Sequence, residues 1–89
     1  MNKSKNELIE FPCVFPIKVM GIAHESFARE ILNAVRFYAP DTNENQITLR
    51  SSSGGRYLSA TVNVHVFSQE QLDCIYRVLT SHEMVKVVL

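Results

Sequence analysis

Along this chain the hydrophobic period runs two, about 3.6, two, two, about 3.6, two, and that succession restricts the fold more than any composition figure. In residues 13–20 Cys13, Phe15, Ile17 and Val19 alternate with Val14, Pro16, Lys18 and Met20, the spacing of a strand with one better-buried face. Pro16 cannot donate a ladder hydrogen bond, so an edge, a bulge or a gap in pairing is expected there. Gly21 is expected to break the run. From His24 to Tyr38 the period lengthens. Phe27, Ile31, Ala34, Val35 and Tyr38 form one helical stripe, and Pro40 stops it. Asp41 to Asn45 reads as a polar loop.

Residues 46–51 alternate again, with Ile47 and Leu49 inward. The turn cluster Ser51–Gly55 leads into the clearest strand, 57–67. Leu58, Ala60, Val62, Val64 and Val66 share one of its faces, and Tyr57, Ser59, Thr61, Asn63, His65 and Phe67 the other. Ser68 and Gln71 have capping-box spacing and open a second helix, marked by Leu72, Ile75, Tyr76 and Leu79 and running to about Ser81. Finally Val85, Val87 and Leu89 alternate with Met84, Lys86 and Val88.

Two crossovers around a central hairpin predict an α+β, ferredoxin-like βαββαβ sandwich. Its antiparallel sheet takes the order 4-1-3-2, with both helices on one face and the other face open. The 89 residues make one domain, expected over 10–89 behind a flexible tail at 1–9. A chain this short buries only roughly 60–65% of its unfolded surface, which leaves a thin core and little room for an enclosed active site.

Composition then removes whole classes of function. No run approaches about 18 apolar residues, so no membrane span is expected. Glu10 and Pro12 interrupt the apolar stretch after Lys3 and Lys5, so no secretory leader is expected either. Cys13 and Cys74 stand far apart and outside any CxxC pattern, which points to the cytoplasm and away from a disulfide framework. Nine basic residues balance nine acidic ones, and zero net charge speaks against nucleic acid as a partner.

The segments Leu8-Ile9-Glu10-Phe11-Pro12, Lys18-Val19-Met20-Gly21, Ser52-Ser53-Gly54-Gly55-Arg56-Tyr57-Leu58-Ser59 and the closing Val85-Lys86-Val87-Val88-Leu89 resemble the YbeD-like family of small bacterial proteins. The resemblance covers about Leu8 to Leu89. It implies a fold close to the ACT regulatory domains, which bind small effectors, commonly at a dimer interface. It also implies a cytoplasmic bacterial protein and, by association alone, a link to lipoate metabolism. It transfers no catalytic role.

The residues themselves support no catalytic constellation. His24, His65 and His82 are isolated and show no HxxH, HExxH or Cys/His spacing, so no metal site is expected. Cys13 lies in the inward register and Cys74 has Asp73 beside it, settings that do not favour a thiolate. No cofactor is expected, and the chain reads as a non-enzyme. The Ser51–Gly55 loop opens a strand rather than a helix, so it reads as a hairpin turn and not a phosphate cradle.

Two places remain. The first is the turn after strand one, Met20, Gly21, Ile22 and Ala23, which in ACT-like domains helps hold a small effector. The second is the open sheet face. Lys18, Arg50, Tyr57, Asn63, His65 and Lys86 take outward strand positions, and no Asp or Glu does. Neutrality therefore reads as a basic sheet face offset by acidic helices, loops and tail. The expected function is a regulatory or small-ligand-binding module, forming a homo-oligomer such as a dimer. The alternative is a protein-interaction module using the basic face. RNA binding ranks lower, because Tyr57 lacks the paired stacking aromatics of RNA-recognition motifs.

Overall fold

The computed structural model describes residues 9–52 and 54–89. The expected tail at 1–9 lies outside them except for Ile9. The elements are β1 (Cys13–Ile22), α1 (Phe27–Arg36), a 3-10 turn (Glu44–Gln46), β2 (Ile47–Ser51), β3 (Tyr57–Val66), α2 (Gln69–Thr80) and β4 (Val85–Val88). The strands form one antiparallel sheet in the order β2-β3-β1-β4, the order expected from the sequence.

The core forms between the sheet's inner face and the two helices. Ile17, Val19, Ala60, Val62, Val64 and Val66 meet Phe27, Ile31 and Val35 of α1 and Leu72, Ile75 and Leu79 of α2. All are buried, and their removal from water supplies the main favourable term. Leu32, outside the expected stripe, is buried too, whereas Tyr38, beyond the end of α1 at Arg36, stays 38% exposed.

Pro16 sits where its missing donor costs nothing. The Lys18 N–H bonds the Leu89 carbonyl at 3.3 Å, so the Pro16 nitrogen points to the same side, beyond the reach of β4's pairing. Gly21 does not end β1. The strand continues to Ile22, and Gly21 pairs with Val85 and Leu58. Between Met20 and Gly21 the β4 register slips, so Met20 faces Val87 and Gly21 faces Val85. Lys86 is therefore the extra residue of a bulge. Val88 opposes buried Val19, and Val87 opposes exposed Met20. The expected pattern for the last strand is thus corrected: Val87 and Leu89 face outward, while Met84, Val85 and Val88 pack on the core.

Two polar features differ from expectation. Ser68 Oγ accepts from the Gln71 N–H at 3.1 Å, a cap worth about 1 kcal/mol. The reciprocal arm of the box goes elsewhere: Gln71 Oε1 accepts from the Phe67 N–H (2.7 Å), and its Nε2 donates to the Tyr38 carbonyl (2.9 Å). One side chain thus ties the start of α2 to the end of the α1 segment. The 41–45 loop is a built corner. Arg36 Nε donates to the Thr42 carbonyl (2.6 Å), buried Thr42 donates to Ala39 (2.8 Å), and Asn43 and Gln46 form a reciprocal cap on the 3-10 turn.

Candidate functional site

The sheet's outer face carries no helix. Along β1 it presents Val14, Pro16, Lys18 and Met20, all exposed. Along β3 it presents Tyr57, Ser59, Thr61, Asn63 and His65, along β2 Thr48 and Arg50, and along β4 Val87, with Leu89 beyond it. None of the four strands contains Asp or Glu.

Register decides which of these residues meet. Lys18 pairs with Thr61, Thr61 with Thr48, Met20 with Ser59, and Ser59 with Arg50. Lys18, Thr48, Arg50, Ser59 and Thr61 line one shallow depression. The two cations stand on strands about 10 Å apart, two strand spacings, with the hydroxyls between them. A chain of donors with no acidic side chain among them suits an anionic group. The other half of the face is apolar: Pro16, Met20, Val87 and Leu89 run along β1 and β4, with Met20, Val87 and Leu89 at 38%, 44% and 67% exposure. The face is therefore split lengthwise, cationic and hydroxylic over β2–β3 and apolar over β1–β4, with Lys18 on the seam.

Of the residues expected on this face, Lys18, Arg50, Tyr57, Asn63 and His65 lie there, and all are exposed. Lys86 is exposed too; it is the bulged residue of β4, without a partner of its own on β1. Tyr57 and His65 stand toward opposite ends of β3. The sequence reading passed over three contributors, Thr48, Ser59 and Thr61, and an aromatic contact. His65 stacks with Phe67, ring centroids 4.7 Å apart and tilted 40°, at the end of the face beside Val14. The period-2 pattern already placed Phe67 outward.

The helices do not supply the expected acidic counterweight. α1 carries Arg29 and Arg36 against Glu30, and α2 carries Arg77 against Glu70 and Asp73. The acid excess sits in connecting segments, at Glu10, Glu25, Asp41, Glu44 and Glu83.

Met20, Gly21 and Ile22 lie within β1 rather than in a turn, and Ala23 follows them. Gly21 is buried, and a Cβ there would collide with the Met84 carbonyl oxygen and the Phe27 ring.

Three further titratable groups have structural partners. His82 Nδ1 accepts from the Met84 N–H (3.1 Å), which leaves Nε2 to donate to Glu30 Oε1 (3.4 Å). His24 Nδ1 accepts from the Ser26 N–H at the start of α1 (3.0 Å). Tyr76 donates to the Leu89 carbonyl (3.2 Å), and burial pushes its phenol pKa up. Among the described residues no three His, Cys, Asp or Glu side chains cluster as metal ligands. No helix among them is long and apolar enough to cross a membrane.

Fold and face together define a small ferredoxin-like, ACT-like α+β domain with one uncovered sheet face. The chain belongs to the family described as protein of unknown function DUF493, which it matches over residues 6–89. A UPF0250 protein of Neisseria meningitidis is 61% identical over 87 residues, 98% of this chain and 96% of that protein. A UPF0250 protein of Chromobacterium violaceum is 52% identical over the full length of both. The solution structure of protein HP0495 from H. pylori superposes with a TM-score of 0.66, covering 91% of this chain and 85% of that one. At 19% identity that likeness concerns the fold alone.

Proposed function

We propose that this protein is a non-catalytic interaction module of the cytoplasm, whose open sheet face docks an acidic, amphipathic segment of a partner protein. The observation that carries this reading is a set of four strands without a single acidic side chain, in which Lys18 and Arg50 flank a row of hydroxyls. An acidic row on the partner pairs with that half of the face, and an apolar row covers Met20, Val87 and Leu89. The apolar contact supplies affinity, and the charges supply orientation and a fast encounter. The small-effector role at Met20–Ala23, with its setting in lipoate metabolism, draws support from the family resemblance alone and ranks second. RNA ranks below both. Tyr57 and Phe67 stand at opposite ends of β3, about 30 Å apart along the strand, too far for neighbouring bases to stack on both.

A fluorescent peptide alternating glutamates with leucines at helical spacing tests the proposal by anisotropy. Binding is expected at low ionic strength and should weaken at least ~10-fold in about 0.5 M salt, where the screening length falls to a few ångströms. Equal binding of a lysine-leucine peptide, or no dependence on salt, would contradict it.

A further inference from the structure

At one end of the sheet, away from the Lys18–Arg50 depression, the chain closes around a cavity of ≈ 290 Å³. Its wall draws on four segments: Val14 near the start of β1, Pro40 and Asp41 behind α1, His65 and Phe67 at the end of β3, and Gln71 in the first turn of α2. Hydrogen bonds clip these segments together. Gln71 Oε1 accepts from the Phe67 N–H (2.7 Å), and its Nε2 donates to the Tyr38 carbonyl (2.9 Å). Gln46, also in the wall, donates from Nε2 to the Asn63 carbonyl (2.7 Å) and accepts from the Asn43 N–H (3.0 Å). Buried Thr42 donates to the Ala39 carbonyl (2.8 Å). The cavity is therefore formed before any ligand arrives, which lowers the ordering cost of binding. At this volume it is smaller than the usual site for a drug-sized ligand, and it suits a single side chain or a small metabolite.

The wall also selects a chemistry. Both glutamine oxygens are taken by backbone donors, so the acceptor left with full charge is the Asp41 carboxylate. Asp41 is exposed, and among the described residues it has no ion-pair partner. The aromatic part of the wall is the His65–Phe67 stack, with Phe67 59% exposed. Val14, 63% exposed, and Pro40 add apolar surface. A carboxylate, ring faces and apolar surface around one small space favour a cation that is flat and weakly hydrated. Guanidinium has these properties: it forks onto a carboxylate, stacks on aromatic rings and sheds water more readily than an ammonium. The surrounding charges agree, since α2 carries Glu70 and Asp73 near its start. Arg36 does not fill the site itself. It lines the separate groove between α1 and β2, and its Nε is engaged by the Thr42 carbonyl (2.6 Å).

We infer that this cavity is a second binding site, which takes a guanidinium group with Asp41 as its anionic partner and Phe67 with His65 as its stacking wall. The group is carried by a free guanidino compound or by an arginine side chain of a peptide. His65 stands six residues from Ser59, about 20 Å along β3, so the cavity and the Lys18–Arg50 depression are separate sites. Either can fail without the other.

An amide-resolved NMR titration of the wild-type protein with Nα-acetyl-arginine amide, agmatine and Nα-acetyl-citrulline amide tests the inference. Saturable shifts at Val14, Asp41, His65, Phe67 and Gln71 are expected with the first two, at an affinity on the order of 1 mM for probes of this size. Citrulline, whose neutral urea replaces the guanidinium, should bind at least ~10-fold more weakly. Asp41→Asn and Phe67→Leu, both at exposed positions, should each weaken binding by ~5-fold or more while the rest of the spectrum stays in place. Tighter binding of agmatine assigns the site to a free guanidino compound, and tighter binding of the capped arginine assigns it to a peptide side chain; both support the site. No saturable shift up to about 20 mM probe, shifts confined to the open sheet face, equal binding of citrulline, or full affinity in either variant would overturn the inference.

Discussion

Gly21→Ala is expected to destabilise the protein by about 1–3 kcal/mol, and Gly21→Val by more, because both force atoms into a filled space. The added Cβ meets a backbone carbonyl, at Met84, and the ring of Phe27, which is fully buried. Neither neighbour can swing into solvent. The ring is held among the buried side chains of the core, and Met84 precedes the bulged pairing of β4 with β1. Relief would require moving α1 away from the sheet or breaking that pairing. For a domain of this size each kcal/mol lowers Tm by roughly 4–8 °C. Thermal unfolding of Gly21→Ala beside Ser59→Ala, a change on the outer face, measures the effect. An unchanged Tm for Gly21→Ala would mean that the close packing of β1, α1 and β4 at this point is misdescribed.

The second large effect concerns binding. Reversing both cations, Lys18→Glu with Arg50→Glu, is expected to weaken binding of the acidic peptide at least ~100-fold at low salt, since two attractive contacts become repulsive. Both side chains are exposed, so stability should change by no more than about 0.5 kcal/mol. The same variant should acquire affinity for the lysine-leucine peptide. Lys86→Glu alone should do little, because Lys86 is on the edge strand β4 and does not line the depression shared by Lys18 and Arg50. A titration of the wild type and these two variants against both peptides checks all of this. Retention of acidic-peptide binding by the double variant would remove the cationic half of the face from the account.

Element order and strand order were readable because β1, β2 and β3 each keep one apolar parity. Leu58 to Val66 on β3, against Ile17 and Val19 on β1, leaves little freedom in which faces meet the helices. What escaped depends on contacts between segments, which no single period encodes. Gly21 reads as a breaker in the sequence, yet it stays in the strand because Phe27 and Met84 need the space a side chain would fill. Lys86 had the right parity for the outer face, but one bulged residue shifts β4 and exchanges the roles of Val87 and Val88. Leu49 has inward parity and remains exposed because an edge strand can face the core side without being covered. Lys18 and Arg50 were recognisable from the lack of acidic strand residues. Thr48, Ser59 and Thr61 became part of the site only when the register set them between the cations. The acidic helix side failed because Arg29, Arg36 and Arg77 balance the helical carboxylates, a matter of where segments end rather than of total charge.

The most direct measurement is an amide-resolved NMR titration of the wild-type protein with the glutamate-leucine peptide. Saturable shifts are expected at Lys18, Met20, Thr48, Arg50, Ser59, Thr61 and Val87, with α1 and α2 largely silent. Shifts concentrated on the helices, with the sheet face unmoved, would contradict it.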